Sequence, residues 1–203
     1  MKMKWNTAIL LLCTCVMCIG LAGCGEKTEN SEVLSIDTIK NVVIETGDND
    51  IIVESTDNDE IKASIIGYEE KLFVQEGDTV RIKLPISKGG VHLSEPQSLY
   101  IYIPSGQLVS FKADSEFGNI QIESVITNMA VHTEYGSIAV SGLQGTVTVK
   151  TQSGEIKSDS IPVADIIRGF DNIGASYSGT LGNSRAEHKI NLSSEYGNIE
   201  LTK

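Results

Sequence analysis

From about residue 36 onward, apolar side chains alternate with polar ones in short runs bounded by Gly, Asn, Asp or Pro, and no stretch carries a helical period. Val42-Val43-Ile44, Ile51-Ile52-Val53, Ile61 to Ile66, Val80 to Leu84 and Leu99 to Ile103 are β-branched and of strand length. The pattern predicts an all-β chain.

The second half repeats itself. Ser115-Glu116-Phe117-Gly118-Asn119-Ile120 recurs as Thr133-Glu134-Tyr135-Gly136-Ser137-Ile138, as Thr151-Gln152-Ser153-Gly154-Glu155-Ile156 and as Ser194-Glu195-Tyr196-Gly197-Asn198-Ile199. The first two intervals are 18 residues. Arg168-Gly169-Phe170-Asp171-Asn172-Ile173 reads as a further copy with Asp171 in the Gly column, and the 26 residues from Ile173 to Ile199 then imply an insertion around Leu181 to His188.

The flanks of each copy are apolar at period two. Before the hydroxyl column stand Phe111 and Ala113, Met129 and Val131, Val147 and Val149, Ala164 and Ile166, Ile190 and Leu192; after it stand pairs such as Ile120 and Ile122, or Ile138 and Val140. Between them, Lys112, Asp114, His132, Lys150, Gln121 and Glu200 face the other way. Strand, turn, strand, turn at fixed length predicts a single-domain β-solenoid of stacked coils of about 18 residues, most regular over 108–203, with a less regular β section before it. A meander or sandwich with similar turns is the alternative. Stacked in chain order, the coils would bury Ile138 between Ile120 and Ile156. Gly in the turn column would supply a positive φ, which Asp tolerates better than most residues.

These features resemble the bacterial putative-adhesin family of β-strand-repeat domains of unknown function. The resemblance covers roughly residues 36–203. Its clearest part is Leu99-Tyr100-Ile101-Tyr102-Ile103-Pro104 followed by the Glu-Phe-Gly-Asn-Ile and Glu-Tyr-Gly-Ser-Ile copies. The family has no agreed catalytic residues, so the resemblance implies recognition or adhesion and assigns no chemistry.

The first residues follow a different rule. Lys2 and Lys4 precede an apolar run from Ala8 to Leu21, too short to span a bilayer comfortably, which ends in Leu21-Ala22-Gly23-Cys24. This resembles the lipobox of bacterial lipoproteins, in which the Cys thiol receives diacylglycerol and becomes the new N-terminus. The expectation is a signal peptide at 1–23, a lipid anchor at Cys24 with a flexible tether through residue 35, and a domain at 36–203 on the extracytoplasmic face of the cell membrane. An ordinary signal peptide with a chance Cys is the alternative. All four cysteines lie within these first 24 residues, so the domain holds neither a disulfide nor a cysteine metal site.

The formal charge of −11 argues against nucleic acid, whose phosphates need a basic face. Removing residues 1–23 discards two lysines and no acid, so the mature chain is more acidic still and is repelled by an anionic membrane surface. No nucleophile elbow, paired zinc-ligand helix motif or phosphate loop occurs. His92, His132 and His188 sit in unrelated contexts. Lys112, Asp114, Lys150 and Glu123 are scattered acid and base candidates for a carbohydrate-active enzyme, without a defensible cluster. Asp48-Asn49-Asp50 and Asp57-Asn58-Asp59-Glu60 read as turn tips, because Ile52 and Ile61 fall where a calcium loop needs oxygen ligands. No catalytic residue, cofactor or metal is therefore expected.

One surface feature stands out. Phe117, Tyr135, Phe170 and Tyr196 occupy the same column of four copies, beside Glu116 and Glu134 stacked one strand spacing apart. They form either a structural shield over the turns or an interaction rim for an envelope glycan or protein. The sequence thus points to a non-catalytic, membrane-anchored recognition module. An envelope spacer and, further off, a carbohydrate-active enzyme are the alternatives.

Overall fold

The computed structural model describes residues 28–85, 97–125, 127–182 and 187–203. It is all-β, with seventeen strands among the described residues. They are β1 (Glu29–Ser35), β2 (Asn41–Thr46), β3 (Asp50–Thr56), β4 (Glu60–Ile66), β5 (Phe73–Glu76), β6 (Thr79–Lys83), β7 (Ser98–Pro104), β8 (Ser110–Ser115) and β9 (Ile120–Glu123). There follow β10 (Asn128–Thr133), β11 (Ile138–Ser141), β12 (Gly145–Thr151), β13 (Ile156–Ser158), β14 (Ile167–Arg168), β15 (Ala175–Leu181), β16 (Lys189–Ser194) and β17 (Ile199–Thr202).

The strands form two sheets, ordered β1-β4-β7-β3-β9-β11-β17-β13 and β14-β15-β12-β16-β10-β8-β2-β6-β5. In the middle, pairing is parallel and in register: Phe111 lies beside Val42 and Met129, and Ile120 beside Ile51 and Ile138. Each coil places one strand in each sheet. The inward positions of both sheets, such as Val42, Ile44, Ile51, Val53, Phe111, Ile120 and Ile199, are almost fully buried in one core. The sheets are mixed, with antiparallel pairs at both ends: β1–β4, β4–β7 and β5–β6 at one, β12–β15 and β14–β15 at the other.

The chain is thus solenoid-like in its parallel middle but departs from a solenoid stacked in chain order. The last coil, β16–β17, inserts between β10–β11 and β12–β13. Ile138 therefore lies between Ile120 and Ile199, and Ile156 is one coil further on.

The expected copy at 168–173 is not a coil at all. Its segment makes short 3-10 turns at Val163–Asp165 and Phe170–Asn172 around the two-residue strand β14. Ala164 and Ile173 are exposed, and Ile166 only partly buried, because β15 already occupies the free edge of β12 in antiparallel register. The residues inserted before the last coil therefore include a hairpin. Leu181 ends its second strand, while residues 183–186 of the expected insertion lie outside the described residues.

Two further expectations change. Glu29–Ser35, read as the end of the tether, form β1, paired over its whole length with β4. And a regular coil was hidden in the N-terminal section: Thr46-Gly47-Asp48-Asn49-Asp50-Ile51 aligns with Ser115 to Ile120, β2 against β8 and β3 against β9. The signal segment, Cys24 and His92 lie outside the described residues.

Candidate functional site

The turn between the two sheets is built by three columns, each with its own bonds. The first is a buried hydroxyl column. Ser115, Thr133, Ser194 and Thr151 each accept the N–H of the Gly three residues on, at 2.9, 3.0, 2.8 and 2.9 Å. Each hydroxyl also donates to a carbonyl of the neighbouring coil: Thr133 to Gly118 at 3.2 Å, Ser194 to Gly136 at 3.0 Å, Thr151 to Gly197 at 2.8 Å. Two bonds per hydroxyl satisfy a polar group that burial would otherwise penalise.

The second column is glycine, and its reason differs from the one expected. Gly118, Gly136, Gly154 and Gly197 are not among the positive-φ residues, whereas Asp171, outside the coils, has φ 55°. What demands glycine is close approach. A Cβ on Gly118 would collide with the Asn49 carbonyl, on Gly136 with that of Gly118, on Gly197 with that of Gly136, and on Gly154 with that of Gly197.

The third column caps backbone donors with side chains. Asn119 N–H donates to Asp50 Oδ1 at 2.7 Å, Ser137 N–H to Asn119 Oδ1 at 2.9 Å, and Glu155 N–H to Asn198 Oδ1 at 2.9 Å. Asp50, one of the turn acids considered for calcium, is thus a backbone cap.

On this frame the coils hold the aromatic column at a fixed height. Phe117 N–H donates to Gly47 O, Tyr135 N–H to Glu116 O and Tyr196 N–H to Glu134 O, each within 2.9 Å. The rings of Phe117 and Tyr135 stack at 5.0 Å with 9° between planes, and those of Tyr135 and Tyr196 at 4.9 Å with 7°. Half of each residue is exposed: 50%, 52% and 56%. Because the rings cover one another's faces, the ladder offers its edges and two hydroxyls to solvent. Phe170 is no part of it. It is 89% exposed on the 3-10 turn after β14. Three of the four expected rim residues therefore come together, and the order is Phe117, Tyr135, Tyr196.

Glu116, Glu134 and Glu195 follow the same coils beside the rings. Tyr135 titrates above the ordinary phenol range, first because its ring neighbours keep water from it, then because Glu134, Tyr196, Glu195 and Glu116 place negative charge nearby. Next to this edge an open groove of about 410 Å³ is lined by Glu45, Asp114, Glu116 and Glu134, with Lys83 and His132 among them. Lys83 Nζ lies 3.5 Å from Glu45, and His132 Nδ1 is 3.0 Å from Ser193 Oγ. The groove is not legible in the sequence, since Glu45 and Lys83 belong to coils that lack the Glu-aromatic-Gly turn motif.

The scattered acid and base candidates stay scattered. Lys112 approaches Asp114 at 3.9 Å on one sheet, Lys150 lies two strands from His132 on that sheet, and Glu123 ends β9 on the other, bonded to Gln121. His188 offers its carbonyl, not its ring, to Thr146 N–H. Among the described residues no three His, Cys, Asp or Glu converge as metal ligands, and no helix is long and apolar enough to cross a membrane.

A search of curated proteins finds no match for this chain. Among solved structures, a "putative cell adhesion protein from Clostridium sporogenes ATCC 15579" is similar in fold, with a TM-score of 0.56 at 14% identity, over 87% of this chain and 99% of that one. The model of the Toastrack DUF4097 family matches residues 39–166, which takes in the hidden N-terminal coil, the groove and two of the three stacked rings. That match spans well over half of the sequence, and the chain belongs to the Toastrack DUF4097 family.

Proposed function

We propose that this chain is a lipid-anchored extracytoplasmic module for adhesion or recognition, without catalysis, and that it meets its partner along the edge formed by Phe117, Tyr135 and Tyr196. The observation that carries the reading is the ring ladder itself: three aromatic residues, each half exposed, held at coil spacing beside a column of carboxylates. A rigid ring loses little side-chain freedom on binding, which is why aromatics concentrate at contact sites. The parallel coils, solenoid in this reading, supply a stiff support.

The geometry also narrows the partner's chemistry. Ring edges and phenol hydroxyls, not stacked ring faces, are on offer, which suits hydrogen bonding and edge contact more than the stacking of a sugar ring. Along the ladder and the groove the partner meets Glu116, Glu134, Glu195, Glu45 and Asp114, which call for hydrogen-bond donors or cationic groups. An envelope glycan bearing free amines or a basic protein surface meets that description. Membrane attachment through Cys24 rests on the Leu-Ala-Gly-Cys sequence. The neighbour in Clostridium sporogenes, named for cell adhesion, is consistent with recognition.

The test is a glycan array and an envelope-binding assay with fragment 25–203, which holds every described strand. Replacing Phe117, Tyr135 and Tyr196 together by Ser should abolish binding while moving the melting temperature little. Binding left intact in the folded triple variant would end this reading and leave the ladder as internal bracing of an envelope spacer.

A further inference from the structure

The two ends of the stack are unlike. At one end β1 and β5 turn outward Glu29, Ser31, Gln75 and Glu76, with Val33 and Val74 half exposed. At the other, residues 159–174 cross from one sheet to the other and close the core with Ile161, which is 4% exposed. The outer side of that crossing carries Val163, Ile167, Phe170 and Ile173, at 70%, 71%, 89% and 62% exposure. The terminal unit of a stacked protein ordinarily turns a polar face to water, because it has no further neighbour. Here four large apolar side chains fall within eleven residues, and β14, which among the described residues pairs with β15 alone, is the edge strand beside them.

Charge indicates what covers this end. Residues 36–144 carry seventeen acids against seven bases, so two copies repel one another there. Residues 145–203 carry seven acids against six bases. In the terminal crossing itself, Arg168 stands among Asp159, Asp165 and Asp171, with Lys157 just before the crossing on β13, so a two-fold contact can set the bases of one copy against the acids of the other. A cationic partner would be drawn to the opposite half, whereas a second copy of this chain meets less repulsion in this half.

We infer that two copies of the chain dock end to end through Val163, Ile167, Phe170 and Ile173. Residue 28, which leads back toward Cys24, sits at the β1 end, seven strand spacings or roughly 34 Å away. On the anchored reading above, the pair holds its two tethers at opposite extremes, as a contact between two facing surfaces requires.

Sedimentation equilibrium of fragment 25–203, from micromolar to millimolar concentration, tests this. The expected result is a reversible dimer, weakened at least tenfold by Ile167→Lys and by Phe170→Ser, with melting temperatures unchanged because both side chains are outside the core. The Phe117, Tyr135 and Tyr196 triple Ser variant should still dimerise, which separates this contact from the ring edge. A monomer throughout, or a dimer indifferent to both substitutions, overturns the inference. So does a monomer that binds neutral phosphatidylcholine vesicles through Phe170, which would assign this end to lipid.

Discussion

Thr133 and Gly118 are joined across two coils: the Thr133 hydroxyl donates to the Gly118 carbonyl at 3.2 Å while accepting the Gly136 N–H at 3.0 Å. The same pair of hydrogen bonds, one donated and one accepted, recurs at Ser194 and Thr151. Hydroxyl and glycine are consequently one device: a Cβ on Gly136, in the same turn as Thr133, would strike both the Gly118 carbonyl and the Thr133 hydroxyl that bonds to it.

Gly136→Ala should therefore cost about 1–3 kcal/mol by overpacking, although its φ is unremarkable. Gly77, with φ +64° and open space around it, is the contrast: Gly77→Asn should cost less than Gly136→Ala, since no atom is in the way and Asn is among the residues that best tolerate a positive φ. Urea melts of both variants decide the matter. Equal stability for Gly136→Ala and wild type would mean the coils are not this close.

Removing residues 189–203 should unfold the whole domain rather than shorten it. It takes out Ile190, Leu192, Ile199 and Leu201, all nearly fully buried between two other coils. Four such side chains contribute on the order of 10 kcal/mol, comparable with the entire stability of a typical domain. Circular dichroism of the shortened chain checks this. A cooperative melt close to wild type would contradict the inserted position of β16–β17.

Alkaline pH should loosen the ring ladder. Tyr135 has its proton held more tightly in the folded chain than in the unfolded one, so the folded state binds more protons above the ordinary phenol value near 10. Stability is then full below that value and falls as pH rises toward the higher folded one. Phenolate absorbance should report a late-titrating tyrosine that Glu134→Gln shifts back downward, because it removes one of the nearby negative charges. A titration unaltered by Glu134→Gln would remove the electrostatic part of this account.

Cys24→Ala tests the anchor. The expected outcome in fractionated cells is an uncleaved precursor or protein shed to the medium, with loss of incorporated fatty acid. A correctly cleaved variant that stays in the membrane would refute lipidation at Cys24.

The legible part of the molecule was the part written in repeats. The period-two columns at Phe111, Met129, Ile120 and Ile138 identified strands, faces and core because alternation is a local property. The ring ladder was legible for the same reason. Coil order was not: Ile199 and Ile156 carry the same motif, and nothing local says which of them lies beside Ile138. The Arg168 to Ile173 copy misled because its spacing is right while the edge it needed is taken by β15. The Thr46 to Ile51 coil was overlooked because Asn49 fills the glycine column, where its amide reaches the Gln97 carbonyl at 3.1 Å.

The late insertion of β16–β17 has a consequence for how the protein comes into being. Residues 189–202 are synthesised after both of the coils they separate, β10–β11 and β12–β13. Until they arrive, the strands on either side, β10 and β12 in one sheet and β11 and β13 in the other, lack their shared partner and the domain stays unfolded. Unpaired strands invite pairing with the wrong chain. Folding therefore waits on residues 189–202: a polypeptide stalled or clipped near residue 188 leaves apolar strands and unpaired backbone exposed, where a protease or chaperone can recognise it as unfinished.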